Sequence, residues 1–356
     1  MTPTYNKVHN RFKINGNSYS HVDLKEVAYS LVKEGDPFEK EMGDFLLHWL
    51  DHNDHITATT SGSTGKVKPV LLKKQNMVNS AIATGDYFGI EPGDRALLCL
   101  PVRYIAGKMM LIRAIILGLE LEIVPPTTQV YIDPEKAYDF SAMLPIQLMN
   151  IINEVDNFER IIIGGAPVPL SLLESIQSIK TPIYETYGMT ETITHVAIKK
   201  LNCFKNAKDK ENAHFELLPE VSIAQDERGC LIIDAPHLSD ETIVTNDLVT
   251  LHSPTQFEWI GRIDNVINSG GLKLFPEQIE KKISLYLKKP FFITATPDDN
   301  LGQVVTLIVE GESEELDNSI YKDLSKHEIP KKVFAVPHFV TTKSGKLQRQ
   351  KTLDLL

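Results

Sequence analysis

The sequence predicts an α/β fold with an antiparallel β portion, arranged as a large N-terminal domain followed by a small α+β unit. Three observations carry that expectation. Apolar strands that close in loops and lead into helices recur through the first half of the chain. After about Ile198 short extended runs separated by turns take over, a spacing that suits antiparallel pairing. From Asp264 on, a compact stretch with its own helix and strands stands apart.

Apolar residues at helical spacing mark helices over Asp23–Lys33 and Phe38–Trp49, and Ile56–Thr60 reads as a short strand. Asn76–Phe88 is again helical, Arg95–Leu100 is an apolar strand, and Lys108–Leu119 is a strongly apolar helix. Ile161–Ile163 is a buried strand ending in Gly164-Gly165, with a helix over Ser171–Ile179 behind it. Val221–Ala224 and Cys230–Ile233 flank the turn Asp226-Glu227-Arg228-Gly229. The last unit is predicted to hold a helix over Pro276–Leu287, with Pro at its first turn, and strands over Phe291–Thr296 and Val304–Val309. The domain boundary falls within Gly261–Asn265, which divides the chain into residues 1–261 and 262–356. The stretch Thr341–Lys351 is basic and polar and is expected to be exposed.

With 356 residues, 42% of them hydrophobic, the chain can bury a sizeable core without disulfides or a structural metal. Its net charge of -10 excludes a broad nucleic-acid surface, so any polyanion must be held by a local cluster of donors. Cys99, Cys203 and Cys230 have no paired spacing, which argues against a zinc site or a disulfide framework and fits a reducing cytosol. The N-terminal residues lack the apolar core of a signal peptide. The most apolar window, Ala114–Pro125, is broken by Glu120 and Glu122, so no membrane span is expected. A cytoplasmic protein is the expectation, and homo-oligomerisation is left open.

The run Thr59 to Lys68 combines hydroxyls, glycines and lysines after a strand. Glycines let successive N–H groups converge on one anion, hydroxyls add donors, and a lysine neutralises charge. Ser/Gly/Thr stretches are also ordinary surface linkers. A Walker A loop is excluded by spacing: Thr60 stands where the first glycine belongs, and Val67 where a Ser or Thr should follow Lys66. Further along, Tyr184-Glu185-Thr186-Tyr187-Gly188-Met189-Thr190-Glu191 places an aromatic, a hydroxyl and a carboxylate close together. Those groups could stack on a purine, bond a phosphate and hold Mg²⁺, although a turn with a surface glutamate explains the octapeptide equally well.

Taken in order, these stretches resemble the adenylate-forming superfamily, which includes acyl-CoA synthetases, firefly luciferase and the adenylation domains of peptide synthetases. Thr60, Ser61, Gly62, Ser63, Thr64, Gly65 and Lys68 match its phosphate loop, with Val67 in place of the proline. Gly164-Gly165-Ala166-Pro167 matches its adenine-side loop, and Tyr187-Gly188-Met189-Thr190-Glu191 its central motif. Thr245-Asn246-Asp247 stands where the superfamily has Thr-Gly-Asp. Gly261-Arg262-Ile263-Asp264-Asn265 and Ser269-Gly270-Gly271 match its hinge and thiol-side loop, and Gly345-Lys346-Leu347-Gln348-Arg349 its C-terminal signature.

The resemblance implies a large adenylate-forming domain with a small mobile cap, using ATP, Mg²⁺ and CoA. It assigns ATP binding to the phosphate-loop residues and to Gly165, Ala166, Thr186, Tyr187, Gly188, Asp247 and Arg262. Catalysis falls to Lys346, Thr190 and Glu191, with Glu191 holding Mg²⁺; Asp264 is the hinge, and Gly270 and Gly271 flank the CoA channel. The chain is short for the superfamily, which implies trimmed N-terminal elements.

Leu100-Pro101-Val102-Arg103-Tyr104-Ile105-Ala106-Gly107 resembles one branch in particular, the o-succinylbenzoate–CoA ligases of menaquinone (vitamin K2) biosynthesis, with Tyr104 in the usual histidine place. Such a substrate carries two carboxylates, of which one reacts. Arg103, Lys108 and Arg113 are therefore candidates to hold the spectator carboxylate, beside Tyr104 in the acyl pocket. Other aryl- or acyl-CoA ligases, a stand-alone domain loading a carrier protein, and a non-catalytic nucleotide-binding homologue are the alternative readings.

Overall fold

The computed structural model describes residues 3–59, 69–312, 316–342 and 347–356. Among these, a 13-stranded sheet organises the chain up to Arg262, beside a separate two-stranded pair, His55–Thr59 with Pro69–Lys73. One half is parallel, edged by the short antiparallel strand Asn17–Ser18: Lys13–Ile14, Glu120–Ile123, Arg95–Leu98, Phe140–Met143, Ile161–Ile163 and Ile183–Gly188 lie side by side in that order. The other half is antiparallel and runs through His195–Lys200, Phe215–Leu217, Gln256–Arg262, Ile243–Ser253, Cys230–Asp234 and Ser222–Gln225. Both halves belong to one continuous sheet. Ile183–Gly188 is the junction, one strand earlier than the change of character expected after Ile198. The six residues between Gly188 and His195 are too few for a helical crossover, so the chain can only turn back on itself.

The parallel half is built as α/β layering requires. Arg95–Leu98 sits between Glu120–Ile123 and Phe140–Met143, so successive crossovers leave it in opposite directions. That makes its carboxyl end a topological switch point, the place where open α/β sheets bind ligands. Helices Lys74–Phe88 and Ile105–Leu117 pack together against the sheet. The second starts three residues before the expected Lys108 and stops at Gly118, whose φ of +77° ends the helix in the left-handed region. Helices His21–Glu34 and Pro37–Trp49 also pair; Ser20 caps the first with a capping box, and Pro37 opens the second. Their apolar faces join a core holding Leu24, Leu46, Trp49, Met77, Ile112 and Phe140.

A single 3-10 turn, Ile263–Asn265, separates Arg262 from the first strand of a second sheet, Ile267–Ser269. That five-stranded sheet also contains Leu272–Leu274, Phe291–Asp298, Gly302–Glu310 and Lys332–Val336. Helix Pro276–Ile283 lays Ile279 and Ile283 on Ile293, Val305 and Leu307. It is shorter than expected, because the chain beyond Ile283 continues as turns as far as Leu287. The opposite face of the sheet buries Phe292, Ile308 and Val336, with Phe339, Leu347 and Leu353 packed over them. The helix Ser171–Ile179 of the sequence reading is an α-helix over Leu170–Ser175 followed by a 3-10 turn.

Candidate active site

The expected adenine loop and central motif lie at the carboxyl ends of neighbouring parallel strands. Ile163 is in register with Glu185, so Gly164 and Gly165 leave the sheet beside Thr186 and Tyr187. The Thr186 hydroxyl donates to the Ile163 carbonyl at 3.1 Å and ties the two ends together. Gly165 and Ala166 are exposed there. Gly188 is required by close approach: a Cβ would lie 2.2 Å from the Thr194 carbonyl oxygen and 2.5 Å from the His195 Cα.

The turn that follows is held by Thr192, whose buried hydroxyl accepts from the Met189 N–H at 2.9 Å and donates to the Thr194 carbonyl at 2.7 Å. Within it Ile193 has φ +67°, a conformation that costs a β-branched residue on the order of 1–3 kcal/mol. That strain is sustained by the surrounding bonds and leaves Thr190 half-buried and Glu191 exposed at the tip. An exposed carboxylate beside a hydroxyl is a donor set suited to a hard dication.

Tyr187 links this turn to the antiparallel half. Its ring packs edge-on against Phe257, and its hydroxyl donates to Asp247 Oδ2 at 2.7 Å. Burial, reinforced by the Asp247 carboxylate, holds the phenol far above its ordinary pKa, so it remains a donor. Asp247 is opposite Arg262 in register and accepts from Arg262 Nη1 at 3.3 Å. Arg262 reaches Asp264 with its other terminal nitrogen at 3.1 Å. Burial works against the Arg262 charge, but Asp247 and Asp264 outweigh it and raise the pKa. Asn246, where a glycine was expected, donates to both oxygens of Asp264 at 3.3 and 3.2 Å and accepts from Arg228 at 3.2 Å. One chain of bonds therefore joins Tyr187, Asp247, Arg262, Asp264 and Asn246. Nothing in the sequence pattern announced the Asn246–Asp264 clasp or Arg228 behind it.

The three cations expected as acyl-pocket candidates separate clearly. Arg103 is 46% exposed, pairs with Glu41 at 3.5 Å and lies over the Tyr104 ring. Lys108 donates to the carbonyls of Val102 at 2.8 Å and Arg103 at 3.1 Å, and burial pulls it down to about 8. Arg113 is 1% exposed and, among the described residues, has no carboxylate partner. Its Nη2 makes one long contact, 3.4 Å, to the Thr194 hydroxyl, and its Nε has none. Burial lowers it to about 9, which still leaves it charged at neutral pH. Beside it His195 is buried between the hydroxyls of Thr84 at 3.3 Å and Thr194 at 3.4 Å. Burial, then the neighbouring Arg113 charge, hold His195 well below its usual pKa. Thr194 and His195 were not singled out from the sequence.

Gly270 and Gly271, with φ +57° and +83°, form the two-residue turn between Ser269 and Leu272. Two successive positive φ values are what a type I′ hairpin turn demands, hence Gly-Gly. Thr60, Ser61, Gly62, Ser63, Thr64, Gly65, Lys68 and Lys346 lie outside the described residues. The strands flanking the first group pair with each other, Thr59 opposite Pro69. Three residues past Lys346, Arg349 binds Glu280 at 2.8 Å and donates to the Ile293 carbonyl at 2.6 Å. It anchors the start of the last helix, Arg349–Leu353, to the small sheet.

The family model for AMP-binding enzymes matches residues 48–223. An acyl-CoA synthetase (AMP-forming)/AMP-acid ligase II-like protein from Dyadobacter fermentans is 36% identical, with a TM-score of 0.60 over 93% of this chain and 97% of that one. The chain belongs to the AMP-binding enzymes. This AMP-binding enzyme is also 26% identical to the 2-succinylbenzoate–CoA ligase of Listeria monocytogenes, over 91% of this chain and 74% of the relative. The o-succinylbenzoate coenzyme A synthetase of Bacillus subtilis, solved in complex with ATP and magnesium ion, shares its fold at a TM-score of 0.73 and 19% identity, over 94% of this chain and 82% of that one. No helix among the described residues of the AMP-binding enzyme is long and apolar enough to cross a membrane.

Proposed function

We propose that the chain is an AMP-forming acid–thiol ligase acting on a dicarboxylate of the o-succinylbenzoate class, which it converts through the acyl-adenylate to the coenzyme A thioester for menaquinone biosynthesis. The observation that carries the choice of acid is Arg113. A buried guanidinium without an anion is costly, and a substrate carboxylate would complete it. Its neighbour Thr194 ends the turn that presents Thr190 and Glu191, so a carboxylate on Arg113 belongs to a molecule reaching toward the phosphate site. The 2-succinylbenzoate–CoA ligase relatives support the same class of acid.

In this reading the adenine lies against Gly165 and Ala166, and Asp247, an acceptor with lone pairs to spare, takes the ribose hydroxyls with Arg262 beside it. Thr190 donates to the α-phosphate, and residues 60–68 hold the outer phosphates. When bound at Glu191, Mg²⁺ supplies positive charge to the phosphate oxygens. The reacting carboxylate oxygen attacks the α-phosphorus and the α–β anhydride bond breaks, giving acyl-AMP and pyrophosphate. Lys346 stands as a point cation where negative charge accumulates. The CoA thiolate then attacks the acyl carbon and displaces AMP. Residues 1–261 form the ATP- and acid-binding domain and 262–356 the cap, which turns about Asp264 between the two steps.

The deciding assay is a panel of carboxylic acids with ATP, scoring AMP release with and without CoA. The dicarboxylate should give CoA-dependent AMP release, and an analogue lacking the spectator carboxylate should need a KM at least about tenfold higher. Absence of pyrophosphate exchange into ATP with every acid would end the proposal.

A further inference from the structure

On the antiparallel half of the large sheet, three strand segments bring His214, His252 and Glu258 together. Phe215 is in register with Phe257, which sets His214 across from Glu258, and Thr250 is opposite Glu258, which sets His252 on the diagonal. All three side chains therefore leave the sheet on the same face. The two imidazoles stack, centroids 3.6 Å apart at 11°, and His252 Nε2 lies 3.6 Å from the Glu258 carboxylate.

One ligand atom from each residue falls within 4.8 Å of the others, and this is the His/Cys/Asp/Glu trio of that kind among the described residues. Two donors about 2.1 Å from one tetrahedral ion stand about 3.4 Å apart. The His252–Glu258 separation already meets that spacing, and His214 joins once the exposed His252 ring turns out of the stack, because parallel rings aim their in-plane lone pairs alongside one another. We propose that His214, His252 and Glu258 form a binding site for a divalent transition metal of the zinc class, with an open position for water. Two imidazoles and a carboxylate suit zinc, cobalt or copper and not magnesium, so the site is chemically distinct from the one at Glu191. The cysteines take no part, which is why the sequence argued against zinc: the ligands meet only through strand register.

Glu258 is the anion facing the two imidazoles, and Lys199 is the nearby cation. Burial, then the His252 ring, then Lys199 lower the His214 pKa, while Glu258 raises it. Lys199 itself is engaged with Glu185 at 3.7 Å and stands over the Phe215 ring. A bound ion would clip together the segments that carry Asp247 and Arg262, and so stabilise the chain by mass action without entering the reaction.

The test uses the full chain without a polyhistidine tag, stripped by chelator and titrated with Zn²⁺ in a calorimeter and with Co²⁺ by visible absorption. One ion per chain should bind, with visible bands of a low-coordinate cobalt centre. His252→Ala and Glu258→Gln should each weaken zinc binding at least tenfold, and His214→Ala/His252→Ala should abolish it and the zinc-induced rise in Tm. Lowering the pH to 5.5 should weaken binding by at least tenfold, while pyrophosphate exchange with Mg²⁺ stays at the wild-type level in all variants. Wild-type zinc affinity in both Glu258→Gln and the double variant, or no zinc bound by the folded wild type at micromolar concentration, would overturn the proposal.

Discussion

Arg113 and Arg349 stand on opposite sides of Asp264, one in the core of the large sheet and one in the small unit, and their surroundings differ in kind. Arg349 is 25% exposed, grips Glu280 with both carboxylate oxygens near 3 Å, donates to the Ile293 carbonyl and lies over the Phe292 ring. Glu280 takes a further bond from the Ile293 N–H at 2.7 Å. Burial lifts Glu280 to about 7 even so, because Arg349 offsets only part of the desolvation. Arg113, far more deeply buried, has among the described residues one long hydroxyl contact and a bare Nε. A complete network fixes a fold; the incomplete one, where burial is greatest, is where the proposed substrate carboxylate would supply the missing partner.

Breaking the complete network should have the largest effect. Arg349→Ala leaves Glu280 beside an apolar core without its cation. Full burial would make that loss about 3–5 kcal/mol, and the partial exposure here brings it to about 2–4 kcal/mol. Urea unfolding should show the loss in the transition of residues 262–356. Since Arg349 follows Lys346 by three positions, adenylate formation should fall about 100-fold or more, as it should in Lys346→Ala, while thioester formation from supplied acyl-adenylate persists. Arg349→Ala/Glu280→Ala should recover most of the stability and none of the adenylation. Wild-type adenylation in Arg349→Ala would show that this anchor does not place Lys346.

Breaking the incomplete network should do the opposite to stability. Arg113→Leu removes an unpaired charge from the interior, so the unliganded protein should be as stable as the wild type or up to about 2 kcal/mol more so. The KM for the dicarboxylate should rise about 10- to 100-fold, the worth of a bond to a charged group, with a smaller change for a monocarboxylate. A destabilised variant with unchanged KM would make Arg113 a structural residue and remove the contrast with Arg349.

Much of this was legible in the sequence because local chemistry specified it. Helical spacing placed the helices over Phe38–Trp49 and Asn76–Phe88, and apolar runs placed the strands at Arg95 and Ile161. Gly164-Gly165 announced the end of a strand, which its position then displays. What could not be read depended on pairing across the chain. The long hairpin of Ile243–Ser253 with Gln256–Arg262 sets Asp247 opposite Arg262, yet its strands mix polar and apolar residues and gave no clean alternation. The same hairpin brings Asn246 to Asp264 and His252 to Glu258. Arg113 was one of three equal candidates until burial separated them, because a helix that is apolar all round does not reveal which direction an embedded cation faces.

The smallest effect sharpens the comparison through pH. His195, packed against Arg113, is held well below its usual pKa by burial and by that charge, whereas Glu280 is held above the usual carboxylate value, at about 7. For His195 the unfolded chain binds a proton that the folded chain refuses, so stability is full above about pH 6.5 and is lost as the pH falls below it. For Glu280 the folded chain holds the extra proton between its ordinary pKa and about 7, so acidification over that window favours the fold. The two groups therefore pull in opposite directions between pH 7 and 5.5. His195→Gln should remove the first and leave the second, so its stability should hold or rise on acidification where the wild type holds or falls. Urea midpoints at pH 7.5, 6.5 and 5.5 measure the difference. Parallel curves for the two proteins would mean that His195 takes up its proton in the folded state, and that the Arg113 charge beside it is already met by something other than substrate.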